Sequence, residues 1–527
     1  MNRRQFLEQL SLAFAAVAAK GVASAAIPSG KKPNIVVILS DDVGYGDISA
    51  YGATHVHTPR IDSLATDGLR FTNAHSDAAT CTPSRYALLT GSYGWRRDGV
   101  QVLPGDAKSL IEPGQPTIAS VMKAAGYETG LVGKWHVGLG DGGSGGKAID
   151  WNGEIKPGPI EAGFDDAFFF AATADRVPTV YIHNHRVVGL DPKDPITVSY
   201  KEKVGTEPTG KEDPDLLKMK LSEGHDGTIV DGVSRIGFMT GGHSARWKDE
   251  EMAATFTGKA VEFIEKNKDR PFFLLFTPSD IHVPRMPAPE FAGKNACGVR
   301  CDVLNQLDWS VGQVLDALKR LHLDEDTIVV FSSDNGPVVN DGYDDGSDRA
   351  LDGHKPAGPF RGGKYTIEEG GTRLPFLVRW TGHVKPGVSN ALICQTDLLR
   401  SFAALAHVPV PAGGAGDSED VLPALLGRSK TGRTSLVEEA GVLAIVEGNW
   451  KLIDRSLRPG TRPPLAADAP LRGDFSPDPQ EKYPIARLEL YDLASDPHET
   501  KNVAAEHPEM VERLRAKLAK IRGDGHS

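Results

Sequence analysis

Ile35-Val36-Val37-Ile38-Leu39 constrains the fold more than any other stretch: five aliphatic residues in a row, four of them β-branched. Such a run reads as a strand buried on both faces, not as one alternating between core and solvent. A strand of that kind needs a layer above it and a layer below. Similar runs recur at Thr129–Val132, Phe272–Phe276 and Thr327–Phe331. Between them lie helical patterns. Thr117–Gly126 ends on a glycine suited to a helix C-terminus, and Glu251–Lys266 and Val303–Leu321 carry apolar residues three and four apart. Strand alternating with helix predicts an α/β fold, a mainly parallel sheet flanked by helices.

The rest of the chain divides around this pattern. Gly138–Asp226 is rich in Gly, Pro and charge and reads as long insertions over one end of the sheet, and Asp341–Pro359 as another polar loop. Pro411–Gly416 suggests a linker. Beyond it, Val442–Val446, Trp450–Ile453 and Leu488–Tyr491 read as short strands, and Met510, Leu514, Leu518 and Ile521 mark one face of a last helix. This predicts a large catalytic domain over 33–425 and a small C-terminal α+β domain over 435–527. Residues 1–25 read as an address. Asn2-Arg3-Arg4-Gln5-Phe6-Leu7 resembles a twin-arginine export signal, an apolar run follows over Leu10–Ala19, and Ala23-Ser24-Ala25 fits a cleavage site. The run is short for a membrane span, which favours cleavage over an uncleaved anchor. The expected destination is the periplasm or the exterior, reached through the twin-arginine machinery.

The net charge of −11 argues against a general nucleic-acid binder and leaves room for an anionic substrate in a locally cationic pocket. The four cysteines are too few for a disulfide scaffold. Cys297 and Cys301 either bridge across a turn or remain ordinary thiols. Cys394, after Ala391-Leu392-Ile393, reads as core.

In open parallel sheets, ligands bind beyond the carboxyl ends of the strands. Ser40-Asp41-Asp42 follows the first run and Ser333-Asp334-Asn335-Gly336 follows the run at 327–331. These are hard oxygen donors suited to Ca²⁺, with Mg²⁺ second, and unsuited to a thiolate-seeking metal. Either pair alone is as much a helix cap as a ligand pair; both at equivalent strand ends favour a metal. Lys134 and His136 follow the run at 129–132, and His282 follows the run at 272–276. Two residues apart in extended chain, Lys134 and His136 point the same way. Two histidines and a lysine beside carboxylates fit acid–base work on an anion. In Cys81-Thr82-Pro83-Ser84-Arg85, Pro83 suits a first helical turn and Gly91 the end of that helix. Cys81 then sits at a helix N-terminus, which favours negative charge, with Arg85 one turn on.

Those five residues match the Cys-x-Pro-x-Arg signature of the type I, formylglycine-dependent sulfatases, within the alkaline phosphatase superfamily. Leu89-Thr90-Gly91 fits the same signature; Ser92 departs from the basic residue common there. Gly133–Gly138 resembles the family's second signature, and Asn34–Asp42 and Ser333–Gly336 its metal-binding segments. Phe360–Lys364 with Glu369–Pro375 resembles a further block, and Leu490–Leu493 with Asp496, Pro497 and Glu499 the family's C-terminal ending. The resemblance implies an alkaline-phosphatase-like fold and Ca²⁺ held by Asp41, Asp42, Asp334, Asn335 and residue 81. It also implies a maturation enzyme that oxidises Cys81 to formylglycine. Arg85, Lys134, His136, His282 and Lys364 then resemble the family's cationic and proton-transfer residues. A hydroxyl of the hydrated aldehyde would attack sulfur, giving a sulfo-enzyme that the second hydroxyl resolves.

The implied substrate is a sulfate monoester, first of a sulfated carbohydrate and second an aryl sulfate. Trp151, Arg176, Tyr181, His183, His185 and His354 are candidate sugar contacts, each equally an ordinary loop residue. The rival readings are a phosphonate monoester hydrolase or phosphodiesterase on the same fold, and a sulfoglycan-binding protein with unmodified Cys81.

Overall fold

A computed structural model describes residues 32–141, 149–460 and 484–524 of the 527. The export signal expected over 1–25 lies outside them. In chain order, strand β1 is Asn34–Ser40, β2 Leu69–Phe71, β3 Glu128–Lys134 and β4 Asp166–Phe170. Two short strands follow, β5 at Ile182–His183 and β6 at Arg186–Val187. Next come β7 Phe272–Thr277, β8 Thr327–Ser333, β9 Phe376–Arg379 and β10 Gly387–Ser389. These ten strands form one sheet in the order β10-β2-β9-β8-β1-β7-β3-β4-β5-β6.

The five central strands, β8-β1-β7-β3-β4, are parallel, and β9, β5 and β6 run antiparallel to their inner neighbours at the flanks. Every residue of β1, β7 and β8 is buried, as the unbroken aliphatic runs require. Helix α1 spans Pro59–Thr66, α2 Cys81–Thr90, α3 Ile118–Ala124, α4 Met252–Lys266, α5 Gly298–Arg320 and α6 Leu398–Leu405. On one face, Val36, Ile38, Leu274 and Phe276 share a core with Phe263 of α4 and Leu307 and Val311 of α5. On the other, Phe273 meets Phe402 of α6 with ring centres 6.5 Å apart.

Four strands predicted from aliphatic runs are present, each extended by one to three residues. The fifth parallel strand, β4, was hidden inside the stretch read as insertions, because Asp166-Ala167-Phe168-Phe169-Phe170 lacks the β-branched signature. The Thr117 side chain accepts from Ser120 N–H at 3.0 Å, capping α3, and Gly126 follows in the left-handed region (φ 80°). Cys297 and Cys301 form a disulfide at the start of α5, and Cys394 is core.

A second, antiparallel sheet follows: β11 Ser435–Glu439, β12 Leu443–Glu447, β13 Trp450–Asp454 and β14 Leu488–Asp492, in that order. Helix α7, Pro508–Gly523, packs Val511, Leu514, Leu518 and Ile521 on it. Strand β11 escaped the sequence reading because Glu438 and Glu439 interrupt its apolar character, yet both are buried. No helix among the described residues is long and apolar enough to cross a membrane.

Gly130 in β3 faces α4 so closely that an added Cβ would lie 2.5 Å from Phe263 Cε2. Gly130→Ala therefore lowers stability by about 1–3 kcal/mol through overpacking, read as a lower denaturant midpoint.

Candidate active site

Helix α2 is buried along its whole length and begins at Cys81. Thr80 before it is extended (φ −150°), and Gly91 after it is left-handed (φ 66°). Thr82 Oγ1 donates to the His136 carbonyl at 2.9 Å, tying the helix start to the loop after β3. Ligand atoms of Cys81, Asp41 and His282 lie within 4.8 Å of one another. Burial pushes the Cys81 thiol up to about 12, against the opposing pull of Lys134 and Lys364. A thiol so placed stays protonated and is no nucleophile.

The ends of β1 and β8 deliver Asp41, Asp42 and Asp334, with carboxylate oxygens from all three within 4.8 Å of one another. Their charge is met by cations. Lys134 Nζ donates to both Asp41 oxygens at 2.8 Å, and Ser279 Oγ donates to Asp41 Oδ2 at 2.8 Å. Arg85 Nε donates to Asp334 Oδ2 at 2.9 Å. Lys364 Nζ donates to Asp42 Oδ2 at 2.9 Å. Burial opposes the ionised form of Asp41, but Lys134, His282 and Arg85 outweigh it and hold its pKa well below the usual carboxylate range. Asp334 is pushed the other way, to about 6, by burial and by Asp41. Asp42 adopts a left-handed backbone (φ 58°), an uncommon geometry for a non-glycine residue that recurs at functional sites.

This donor set fits a hard divalent cation. Asn335 Nδ2 donates to Asp42 Oδ1 at 2.7 Å, while Asn335 Oδ1 is buried with no hydrogen-bond partner. An unpaired amide oxygen beside crowded carboxylates is what a cation of this class satisfies.

Lys364 Nζ also reaches Asp341 Oδ2 at 2.9 Å and His282 Nε2 at 3.3 Å. Burial disfavours its charge, yet Asp341 and Asp42 outweigh that and hold the ammonium pKa well above its ordinary value. His282 Nδ1 donates to the Val283 carbonyl at 2.8 Å, so Nε2 is the acceptor toward Lys364. Burial and the Lys364 ammonium lower the His282 pKa. The alternation expected of Lys134 and His136 stops at Lys134, because His136 is left-handed (φ 58°). Its Nε2 donates to the Leu103 carbonyl at 3.0 Å, and its Nδ1 is buried without a partner. Burial, Lys134 and Arg176 hold its pKa well below 6.5.

Residues 33–408 match the family model named Sulfatase. The chain belongs to the sulfatase family. It is 48% identical over 496 residues, 94% of each chain, to an N-acetylgalactosamine-6-O-sulfatase of Bacteroides thetaiotaomicron. It is 32% identical to human arylsulfatase A, covering 93% of this chain and 88% of that one. A solved structure described under the metabolism of multiple glycosaminoglycans by B. thetaiotaomicron superposes with a TM-score of 0.87 at 47% identity. That match covers 94% of this chain and 100% of the other. The sulfatase is thus a sulfuric ester hydrolase with the sheet-and-helix architecture of its relatives.

Of the six candidate sugar contacts, Arg176 lies close enough to His136 to lower its pKa. It pairs with Asp175 at 3.0 Å, and Asp175 is held well below its ordinary pKa by Arg176, His225 and His282 despite burial. The other five make contacts within the fold. Trp151 is buried, and Tyr181 packs among Phe168, Phe256 and Trp247. His183 and His185 pair with Asp166 at 2.8 Å and Glu161 at 2.9 Å. His354 is buried against Asp47 at 2.8 Å. The sequence reading missed Ser279, Asp175, His225 and Asp341. Ser279 stands two residues beyond β7, where the strand end offered a signal; Asp341 opens the polar loop 341–359, eight residues beyond β8; Asp175 and His225 had none.

Asn335→Ala weakens binding of a divalent cation by about tenfold or more, read by calorimetry. Because the His136 pKa is lowered, its neutral form persists below the ordinary 6.5 and is lost only as pH falls through the depressed value. An NMR titration of the labelled ring shows it neutral throughout the range where a free histidine gains its proton.

Proposed function

We propose that this sulfatase removes the 6-O-sulfate of an N-acetylgalactosamine unit in a sulfated carbohydrate, using a formylglycine made from Cys81 and a bound Ca²⁺. The observation that carries the chemistry is Cys81 itself: a buried thiol pushed to about 12 at the meeting point of the carboxylates and cations. Unmodified, it has nothing to offer an ester. The sugar is supported by the 48% identity to an N-acetylgalactosamine-6-O-sulfatase over nearly the whole chain.

Asp41, Asp42, Asp334 and Asn335 would hold the ion, which would supply Lewis-acid polarisation of the sulfate oxygens. Were Cys81 oxidised and hydrated, one hydroxyl would lose its proton and attack sulfur as the ester S–O bond breaks and the alcohol leaves; deprotonation of the second hydroxyl would then re-form the aldehyde as the C–O bond to sulfate breaks. The remaining chemistry belongs to the side chains described above. Lys134 and Arg85 face the reacting centre as fixed positive charges, so stabilisation needs no reorganisation during reaction. Lys364 carries a proton at neutral pH, while His282 Nε2 accepts from it. That arrangement favours Lys364 as donor to the leaving oxygen, with His282 Nε2 orienting its ammonium. His136 Nδ1, unprotonated and unpaired, is the base for the second hydroxyl. Asp175, Arg176 and His225 are the polar groups available to the sugar ring.

The segment at 1–25 exports the protein to the periplasm or beyond. The twin-arginine route suits it, since that route carries chains already folded and metal-loaded, and the maturation enzyme then acts before export.

Mass spectrometry of the peptide containing residue 81 shows the aldehyde in the active enzyme; a thiol in fully active protein overturns the mechanism. Cys81→Ser loses multiple turnover, lowering steady-state kcat by about a thousandfold or more. Chelation abolishes activity, and Ca²⁺ restores it better than Mg²⁺. Across a panel of 6-sulfated and 4-sulfated N-acetylgalactosamine, an aryl sulfate and matching phosphate esters, the 6-sulfated sugar has the highest kcat/KM. Preference for a phosphate ester would overturn the sulfatase specificity proposed here.

A further inference from the structure

The C-terminal ending carries Glu499, which touches none of the reacting groups. We infer that Glu499, supported by Lys451, is a positioning residue: it clamps the loop 361–371 from the C-terminal side so that Lys364 is held at the carboxylates.

The loop has two sides. Toward the reaction centre it is stitched to every part of the site. Lys364 N–H donates to the Pro337 carbonyl at 2.8 Å, and Tyr365 N–H to the carbonyl of Ala79, two residues before Cys81, at 2.8 Å. Gly336, next to Asn335, donates its N–H to the Gly371 carbonyl at 2.9 Å. Tyr365 itself is left-handed (φ 73°), a conformation that persists only where the surroundings impose it.

Toward the C-terminal sheet the same loop is held by buried charge. Arg361 donates to the Glu499 carbonyl at 2.7 Å, and Glu499 Oε2 accepts the Glu369 N–H at 2.7 Å. Glu499 thereby grips both ends of the loop. Lys451 of β13 pairs with Glu369 at 2.9 Å, Glu438 at 3.2 Å and Glu499 at 3.5 Å. Arg455 pairs with Glu368 at 2.6 Å and Glu489 at 3.1 Å. Ile367, at the middle of the loop, packs in the core of the second sheet.

Stability alone does not account for this arrangement. Well-packed apolar residues hold a buried interface as firmly as buried ions do, whose desolvation cancels much of their attraction. What ions and directed hydrogen bonds add is geometry. Lys364 needs that geometry, because a displacement on the order of 1 Å at a reacting group costs up to a hundredfold in rate. Burial raises the pKa of the Glu499 carboxyl, and Lys451 at 3.5 Å opposes that rise.

The test is a double-mutant cycle in the full-length, Ca²⁺-loaded enzyme, on whichever sulfate ester of the panel turns over fastest. An error in the proposed sugar then leaves the test intact. E499D retracts the acceptor by one methylene and lowers kcat/KM about tenfold; E499Q keeps the acceptor and restores most of it. In a K364M background, E499D changes kcat/KM by less than about twofold, because its effect runs through Lys364. E499L gives a larger loss with the same non-additivity, and E499D carries the test where E499L is insoluble. Equal losses in both backgrounds, or wild-type kcat/KM in E499D, overturn the inference. A silent K364M overturns it together with the role given to Lys364.

Discussion

Three carboxylates at the ends of two neighbouring buried strands repel one another, and the architecture around them answers that repulsion. Asp41, Asp42 and Asp334 leave β1 and β8 in register, since Ser40 pairs with Ser333. The fold places them together before any ligand arrives. Each is then met by a cation drawn from elsewhere in the chain: Lys134 from β3, Arg85 from α2, Lys364 from the loop beyond β8. The hydrophobic sheet supplies rigidity, and the charge crowding decides which loops must converge on its edge.

The same crowding gives the site its reactivity. Carboxylates held apart from water store electrostatic work that a divalent ion relieves on binding, while the cations around them are what a sulfate group meets. A site assembled this way interacts more strongly with charge that develops during reaction than a solvated site does, because its dipoles and ions are already oriented.

Much of this was legible in the sequence for a physical reason. Doubly buried strands write themselves as aliphatic runs, and the residues just past them face the ligand, so Asp41, Asp42, Asp334, Asn335, Lys134 and His282 were accessible by position. Cys81 and Arg85 were legible because a helix start has its own punctuation. What stayed hidden lacks such a local signature. Strand β4 is aromatic rather than β-branched, β11 carries buried glutamates, and Asp175 and His225 reach the site only through tertiary folding. Histidines were the poorest guides: His183, His185 and His354 satisfy nearby carboxylates, which is what most histidines in a packed protein do.

The second sheet and the segments that flank it contribute Lys451, Arg455 and Glu499 from far along the chain, whereas the groups around the candidate site come from positions 41 to 364. Synthesis runs from the amino end, so these supports emerge after everything they brace. A ribosome that stopped short of them would release a polypeptide with Asp41 through Lys364 in place and without the buried charges that brace loop 361–371. In this molecule the site is synthesised before the braces that hold it.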